Sequence, residues 1–440
     1  MVLSNVWGGV KMKLIINPIK QLKGQMTCPG DKSISHRAVM LGALAKGTTV
    51  VDNFLMGEDC LATVQCFKEM GVHIEGPVDG KLTIHGVGLD GLKEPARILD
   101  AGNSGTTTRL LLGILAGQPF CSILTGDDSL IKRPMARVTT PLTQMGAVFL
   151  GRQDNNLLPL AVRGGTLKPI EFISPVASAQ MKSAVLLAGL FAEGETSVRE
   201  PAVSRDHTER MLRHFGAEVK VSDQTVTVQG HPRLAGVRFT VPGDISSAAF
   251  FMVAAAIVPG SEVTIQGVGI NPTRDGILEV LQQMGAQLQI GNRRYQGEEP
   301  VADIKICGGE LRSTQIYGTL IPRLIDEIPI LAVAAAYAQG TTVIRDAAEL
   351  KVKESNRIAA VAAELRKFGV MIEELPDGLV IQGGTPLTGA SCRSYGDHRI
   401  AMAMAVAGLS ARSQTIIEDA GCVDVSFPGF GDALKSLTVE

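Results

Sequence analysis

Apolar residues gather along the chain in six Ala-rich segments that are apolar on nearly every side of a helix. Each segment runs for about 13 residues, and a helix without a polar face is buried. The segments begin near Ser33, Ser104, Ser178, Ile245, Glu327 and Asp397. The pattern therefore predicts six buried helices.

Amphipathic helical patterns alternate with these segments, and five of them end on a repeated phrase: Met or Phe, then Gly, then Ala or Val. The phrase returns at intervals of roughly 70 to 84 residues, which marks an internal repeat. Glycine suits the left-handed residue that follows a helix, and the apolar/polar alternation after each phrase predicts a strand. The glycines are Gly71, Gly146, Gly216, Gly285 and Gly369.

Both patterns together predict six copies of one repeat: buried helix, strand, amphipathic helix, strand, and a further strand where the chain has room. The fold class is α/β, with sheets and amphipathic helices around a helical core. Six repeats exceed one comfortable core, so we expect two lobes of three repeats. Residues 1–30 with 242–440 would form one lobe and 31–241 the other, with hinge strands near 29–31 and 241–244.

Composition narrows the classes of function. The 440 residues carry a net charge of −2 with 20% charged and 4% aromatic residues, which argues against nucleic-acid binding. The seven cysteines form no C-x-x-C pair, so we expect a reducing compartment rather than disulfides or structural zinc. We find no signal-peptide pattern and no apolar run of the roughly 18–20 residues that a membrane span needs. We therefore expect a cytoplasmic protein with no membrane partner.

Cations and neutral donors collect at the predicted helix N-termini, where backbone N–H groups and the helix dipole favour an anion. Lys32, Ser33 and Arg37 lie at the first such start, and Gly102–Arg109 at the second. We expect a positive cleft between the lobes that binds one or two small polyanions. The remaining clusters are Lys132–Met135, Ser178–Lys182, Ser204–His207, Lys351–Arg357 and Gly396–Arg399.

Two carboxylates accompany the cations of the second half. The spacing of Lys353 and Arg357 predicts one shared helical face, where like charges repel unless a carboxylate or a bound anion lies between them. Asp326 and Glu354 can supply carboxylates and can transfer protons. No His, Asp and Glu spacing fits zinc, and His207 is more typical of a hydrogen-bonded structural residue, so we expect no metal site.

Seven motifs together resemble the 5-enolpyruvylshikimate-3-phosphate synthase family, and the resemblance covers the chain after about Met12. It implies two similar lobes, each of three βαβαββ units around buried helices. This fold is classed as α/β or, more broadly, as α+β. The motifs are Pro29–Arg37, Gly102–Thr106, Arg133–Met135, Ser178–Gln180, Ser204–His207, Lys351–Arg357 and Gly396–Arg399.

The resemblance also implies a reaction and roles for residues. The enolpyruvyl group of phosphoenolpyruvate would pass to the 5-hydroxyl of shikimate 3-phosphate, without a cofactor, in a monomer. Asp326, Glu354 and Lys32 would be catalytic. Phosphoenolpyruvate would contact Lys32, Asn103, Gly105, Thr106, Arg133, Gln180, Arg357 and Arg399. Shikimate 3-phosphate would contact Lys32, Ser33, Arg37, Ser178, Gln180, Ser204, Arg205, Asp326 and Lys353.

Two positions bear on how far the family's properties carry over. Val425 stands before Ser426–Pro428, where some members have a lysine. Gly105 stands where herbicide-tolerant members can carry alanine, so we expect ordinary sensitivity to glyphosate.

Two other functions remain open from the sequence. One is the related transferase that acts on UDP-N-acetylglucosamine, which typically has an Lys-Asn pair and a loop cysteine. Here Ser33 follows Lys32, and Cys121 lies in an apolar strand-like context. The other is a non-catalytic anion-binding module, which would not need Asp326 and Glu354.

Overall fold

The computed structural model describes residues 2–4 and 12–439. Its chain forms two compact units. Among the described residues, unit 1 runs up to Pro29 and includes Gly243–Arg294 and the chain from Pro300 onward. Unit 2 comprises Gly30–Pro242 and Tyr295–Glu299.

The helices of the described residues are mostly short. They are α1 (Lys32–Leu44), α2 (Glu58–Glu69), α3 (Gly105–Ala116), α4 (Ala136–Gln144), α5 (Arg152–Asn155), α6 (Ala179–Gly189), α7 (His207–His214), α8 (Ile245–Ile257), α9 (Gly276–Gln283), α10 (Ile321–Leu324), α11 (Ile328–Tyr337), α12 (Arg357–Lys367), α13 (His398–Leu409) and α14 (Phe430–Leu437). None of these helices has both the length and the apolar character to cross a membrane.

The strands are equally short. They are β1 (Val2–Ser4), β2 (Lys13–Ile16), β3 (Gln21–Thr27), β4 (Lys46–Asp52), β5 (His73–Val78), β6 (Lys81–Val87), β7 (Leu99–Asp100), β8 (Cys121–Thr125), β9 (Val148–Gly151), β10 (Leu157–Arg163), β11 (Glu171–Ile173), β12 (Glu195–Arg199), β13 (Val219–Ser222), β14 (Thr225–Gln229), β15 (Arg238–Thr240), β16 (Glu262–Gly269), β17 (Gln287–Gln296), β18 (Glu299–Cys307), β19 (Gln315–Ile316), β20 (Gly340–Ile344), β21 (Met371–Leu375), β22 (Gly378–Gly383), β23 (Ser391–Arg393), β24 (Thr415–Glu418) and β25 (Thr438–Val439).

The six predicted buried helices are confirmed. They are α1, α3 and α6 in unit 2, and α8, α11 and α13 in unit 1, and nearly every residue in them is buried. Small residues let these helices approach closely. A Cβ added to Gly113 of α3 would lie 2.2 Å from the carbonyl oxygen of Ala184 in α6, so only glycine fits at this crossing.

The repeated glycines end the outer helices as predicted. One of these glycines follows each of the helices α2, α4, α7, α9 and α12. All five glycines have the left-handed φ that glycine adopts without strain, from 84° at Gly71 to 111° at Gly146. A strand begins within a few residues of each glycine. The repeat is therefore visible in the backbone itself.

Within the described residues, six sheets carry the repeats. Three of them use consecutive strands: β7-β8-β10-β9, β11-β12-β14-β13 and β19-β20-β22-β21. The other three take strands from distant parts of the chain. Strand β15 pairs in parallel with β4, β3 pairs in parallel with β16, and the N-terminal β2 pairs with β24. The sixth repeat is thus completed by the chain's first strands, a long-range pairing that no local pattern in the sequence indicates.

Candidate anion-binding and catalytic residues

A side-chain cap stabilises the N-terminus of α1. The Asp31 carboxylate accepts a hydrogen bond from the backbone N–H of Ile34 at 2.9 Å, which satisfies one of the free donors of the first turn. Lys32, the first helical residue, pairs with the carboxylate of Asp59 at 3.1 Å. Ser33 follows, and its carbonyl accepts from Arg37 at 2.8 Å.

Arg37 is buried and ties α1 to its neighbours. Its guanidinium donates to the hydroxyl of Thr208 in α7 at 2.6 Å and to that of Ser183 in α6 at 2.7 Å. Burial lowers the pKa of Arg37 to about 10, so the side chain is still charged at neutral pH. The predicted phosphate ligand is therefore also part of the framework of unit 2.

Gln180 and Arg109 join the starts of α6 and α3. The Gln180 amide donates to the hydroxyl of Thr106 at 3.0 Å, and its oxygen accepts from Arg109 at 2.6 Å. Gly105 begins α3, and a Cβ there would lie 3.1 Å from Arg109 Nη1 and 3.6 Å from Arg133 Nη1. The structure thus brings Gly105, Thr106, Arg133 and Gln180 together. It adds Arg109, which the sequence places at this helix start but which has no predicted substrate contact.

Arg133 is held against the loop that precedes α3. It donates to the side-chain oxygen of Asn103 at 2.6 Å and to the hydroxyl of Ser129 at 3.1 Å. Arg133 directly follows a 3-10 turn formed by Leu130–Lys132. Two residues later, Met135 is the N-cap of helix α4. Asn103 and Arg133 therefore form one donor group in the structure.

Ser178 and Ser204 share one buried carboxylate, Glu200. Glu200 accepts from the backbone N–H of Ser178 at 2.9 Å and from the hydroxyl of Ser204 at 2.7 Å. Lys182 pairs with Glu200 at 3.0 Å and with Glu209 at 2.7 Å, with all three side chains 2% exposed. Arg205 follows Ser204 and is half-buried.

One lysine in this buried group faces two carboxylates. Burial acts to lower the pKa of Lys182, but the carboxylates of Glu209 and Glu200 outweigh it and hold that pKa above its ordinary value. Burial also raises the pKa of Glu209, against the opposing effect of Lys182. Glu200 and Glu209 are not predicted from the sequence. The one signal for them is a lysine inside an apolar helix, because a buried lysine needs a carboxylate nearby.

In unit 1, Arg357 gathers three carboxylates. It donates to Asp397 at 2.8 Å, to Asp326 at 3.1 Å and to Glu354 at 2.7 Å, and it is 1% exposed. Burial acts to lower the pKa of Arg357, but the three carboxylates outweigh it and raise that pKa above its ordinary value. Asp326 and Glu354, the predicted proton-transfer residues, thus meet on one guanidinium.

The predicted helical face of Lys353 and Arg357 is wrong. Helix α12 begins only at Arg357, and Asn356 caps it by accepting from the backbone N–H of Ala359 at 3.3 Å. Lys353 lies before the cap in extended backbone, after the 3-10 turn Ala348–Val352. The two cations are nevertheless bridged, because Asp326 Oδ1 lies 3.4 Å from Lys353 Nζ and 3.1 Å from Arg357 Nη1.

Arg399 lies at the start of α13, as the sequence predicts. Asp397 caps this helix by accepting from the backbone N–H of Arg399 at 3.0 Å. The Arg399 guanidinium donates to the backbone carbonyl of Asp326 at 3.0 Å and lies 3.7 Å from the buried carboxylate of Glu327. Asp397 therefore caps α13 and holds Arg357, a double role that spacing along the chain does not reveal.

Two histidine predictions have different outcomes. His207 is buried and shares a hydrogen bond of 2.7 Å with Glu299 in unit 2, which confirms its structural role. The expectation that no His, Asp and Glu spacing fits zinc stays a prediction. In the described part of the chain, His73, Glu75 and His85 place their ligand atoms within 4.8 Å of one another.

Comparison with known proteins agrees with this architecture. The family model for EPSP synthase (3-phosphoshikimate 1-carboxyvinyltransferase) matches residues 16–434. The 3-phosphoshikimate 1-carboxyvinyltransferase of Desulforamulus reducens is 73% identical over 98% of this chain and all of its own length. The enzyme of that name from Pelotomaculum thermopropionicum is 62% identical with the same coverage. An EPSP synthase structure from Acinetobacter baumannii superposes with a TM-score of 0.88, at 49% identity over 98% of both chains.

These matches define the class of the protein, an α/β transferase. The sequence match extends through both units. The chain belongs to the EPSP synthase family, and the resemblance inferred from its motifs is confirmed.

Proposed function

We propose that the chain transfers the enolpyruvyl group of phosphoenolpyruvate to the 5-hydroxyl of shikimate 3-phosphate. The products are 5-enolpyruvylshikimate 3-phosphate and phosphate, on the shikimate route to chorismate and the aromatic amino acids. The oxygen of the 5-hydroxyl of shikimate 3-phosphate adds to the central carbon of phosphoenolpyruvate, and the methylene carbon of phosphoenolpyruvate takes up a proton. The product of this addition is a tetrahedral ketal phosphate. Loss of phosphate and of one methyl proton from this tetrahedral ketal phosphate then restores the double bond.

The observation that carries the proposal is the meeting of Asp326 and Glu354 on the buried Arg357. Carboxylates repel anionic ligands, so a module that only binds anions gains nothing from them. A reaction that removes a hydroxyl proton and moves a methylene proton needs groups of this kind. Arg357 holds both side chains in place before any substrate binds.

In unit 2, we assign substrate binding to the donors at the helix starts. Their charges and N–H groups suit phosphate and carboxylate oxygens. Phosphoenolpyruvate would contact Lys32, Asn103, Gly105, Thr106, Arg133 and Gln180. Shikimate 3-phosphate would contact Lys32, Ser33, Arg37, Ser178, Gln180, Ser204 and Arg205.

In unit 1, we assign Arg357 and Arg399 to phosphoenolpyruvate and Asp326 and Lys353 to shikimate 3-phosphate. Asp326 would take the proton of the 5-hydroxyl. Glu354 would protonate and deprotonate the methylene carbon, and Lys32 is the third catalytic residue of the proposal. Lys353 and Arg357 both contact the Oδ1 atom of Asp326 and hold its carboxylate in position.

The test is phosphate release from phosphoenolpyruvate with either shikimate 3-phosphate or UDP-N-acetylglucosamine as the acceptor. We expect release only with shikimate 3-phosphate, and a loss of about 10²–10⁴-fold in kcat for Asp326→Asn, the range for a general base. Asp432→Asn, an exposed position in α14, is the matched control and should leave kcat unchanged. Release with UDP-N-acetylglucosamine would assign the related transferase, and release with neither acceptor would leave an anion-binding module.

We also propose that the protein acts as a monomer in the cytoplasm. All seven cysteines are free thiols, which suits a reducing compartment. Light scattering during size-exclusion chromatography should give the mass of one chain, and twice that mass would contradict the proposal.

A further inference from the structure

One face of a sheet in unit 2 brings two histidines and a glutamate together. His73 and His85 are register partners on the antiparallel strands β5 and β6, and Glu75 lies two residues after His73 on the same face. The two imidazole rings stack with their centroids 4.9 Å apart. The side chains of His73, Glu75 and His85 are 73%, 59% and 41% exposed, so an ion from solution can reach them.

The ligand atoms already converge. Glu75 Oε1 lies 2.6 Å from His85 Nε2 and 3.5 Å from His73 Nε2. A tetrahedral zinc ion with bonds of about 2.0–2.2 Å holds its ligand atoms roughly 3.3–3.5 Å apart. The His73–Glu75 distance fits that value, and the shorter His85–Glu75 distance opens by a small rotation of exposed side chains.

A hydroxyl group next to His85 can orient its ring for metal binding. The other ring nitrogen of His85, Nδ1, lies 3.4 Å from the hydroxyl of Thr48 on β4. An acceptor at Nδ1 orients a ligating imidazole and leaves Nε2 free to bind the ion.

We propose that His73, Glu75 and His85 form a surface site for a divalent transition-metal ion of the nickel, copper and zinc group. Two imidazole nitrogens and one carboxylate oxygen are typical ligands of these ions, and solvent water would complete the coordination. The site lies on β5 and β6, apart from the residues of unit 2 assigned to the substrates. Bound metal would cross-link the two strands without entering the reaction.

The experiment is isothermal titration of the full chain with Ni²⁺ near pH 7.5, where free imidazole is neutral. We expect one site in the wild-type protein, and a fall in affinity of about tenfold or more in each of His73→Ala and His85→Ala. His231→Ala is the matched control, because His231 also pairs with one carboxylate, Glu193 at 3.3 Å. That variant should keep the wild-type affinity.

Two further readouts separate this site from thiols. Cu²⁺ bound to the wild-type chain should show two nitrogen ligands by electron paramagnetic resonance, and the double variant His73→Ala/His85→Ala should lose that signal. Enzyme turnover should be equal in both proteins without metal, which confirms that the variant is folded. Equal Ni²⁺ affinity in the wild type and the double variant, as expected if exposed Cys121 held the ion, would overturn the proposal.

Discussion

Three arginines at the site are held by acceptors of their own unit. Arg357 rests on three carboxylates, Arg133 on Asn103, and Arg399 on the backbone of Asp326. The planar guanidinium can keep such contacts and still present N–H groups to a ligand. The side chains are therefore oriented before an anion arrives, which reduces the ordering that binding requires.

Replacing Arg357 should be far more costly than replacing an exposed arginine. Arg357→Met leaves Asp397 buried without its cation, and removing one partner of a buried pair costs about 3–5 kcal/mol. The control Arg366→Met removes the exposed pair with Glu374 at 2.9 Å, worth about 0–1 kcal/mol. Urea unfolding measures both values, and equal losses would show that the Arg357 cluster does not stabilise unit 1.

Gly105 should set the room for phosphoenolpyruvate. In Gly105→Ala the new Cβ would lie 3.1 Å from Arg109 Nη1, so that guanidinium must shift. We expect a higher KM for phosphoenolpyruvate, little change for shikimate 3-phosphate, and weaker inhibition by glyphosate.

Steady-state kinetics with each substrate varied in turn checks this expectation. Gly291→Ala is the control, since its Cβ would meet no atom within 4 Å. Wild-type inhibition that needs millimolar glyphosate would contradict the expected sensitivity.

At the scale of elements, polar networks connect the buried helices near their starts. His36 in α1 shares a hydrogen bond of 2.7 Å with Thr63 in α2, and Thr63 shares one of 2.7 Å with Thr107 in α3. Glu200 similarly connects Ser178, the cap of α6, to Ser204. These contacts hold the helix starts of unit 2 in register.

Glu200 should matter for the binding of shikimate 3-phosphate more than for the chemistry. Glu200→Gln weakens the acceptor that orients Ser178 and Ser204 and leaves Lys182 with one carboxylate fewer. We expect a higher KM for shikimate 3-phosphate, with kcat and the KM for phosphoenolpyruvate less affected. Glu195→Gln, which breaks an exposed pair with Lys220 at 2.7 Å, is the control, and equal KM changes in both variants would refute the role of Glu200.

His36 should make the protein sensitive to acid. Burial, together with the charges of Lys32 and Arg37, holds the pKa of His36 well below its ordinary value of 6.5. Below about pH 6.5 the unfolded chain therefore binds a proton at His36 that the folded chain does not bind. The free energy of unfolding then falls by up to about 1.4 kcal/mol per pH unit.

Urea unfolding between pH 5 and 7 tests this expectation. His36→Gln should flatten that part of the pH profile, whereas His231→Ala, an exposed histidine, should keep the wild-type slope. Parallel profiles for wild type and His36→Gln would show that another group causes any loss of stability at low pH.

At the scale of the whole molecule, the repeats close through the ends of the chain. Strand β2 supplies Leu14 and Ile16 to the core of unit 1, where they are 3% and 0% exposed, and pairs with β24. The short strand β25 pairs with β3. Strands β2 and β25 are therefore part of the fold of unit 1.

Truncation should distinguish the two N-terminal strands. A chain that begins at Met12 keeps β2 and loses the edge strand β1, so we expect nearly wild-type thermal unfolding. A chain that begins at Asn17 also loses Leu14 and Ile16, and each buried aliphatic side chain is worth about 2–5 kcal/mol. We expect the second chain to unfold at a much lower temperature, and equal unfolding temperatures would contradict the contribution of β2.

The sequence by itself determined the repeat, the buried helices and the chemistry at their starts. An all-round apolar segment has only one stable place, the core, and a glycine after a helix permits the left-handed turn. Ser104, Ser178 and Asp397 are caps in the structure as their positions suggest. These features depend on neighbours along the chain, so local patterns suffice to find them.

Only the tertiary structure decided which distant groups meet. Glu200 under two serines, Asp397 on Arg357, and His85 beside His73 and Glu75 join residues whose separation along the chain carries no period. The closure of the sixth repeat by β2 is of the same kind. Strand pairing and buried charge balance are fixed by three-dimensional packing, and the failed helical face of Lys353 and Arg357 shows that even a four-residue spacing needs the helix to be present.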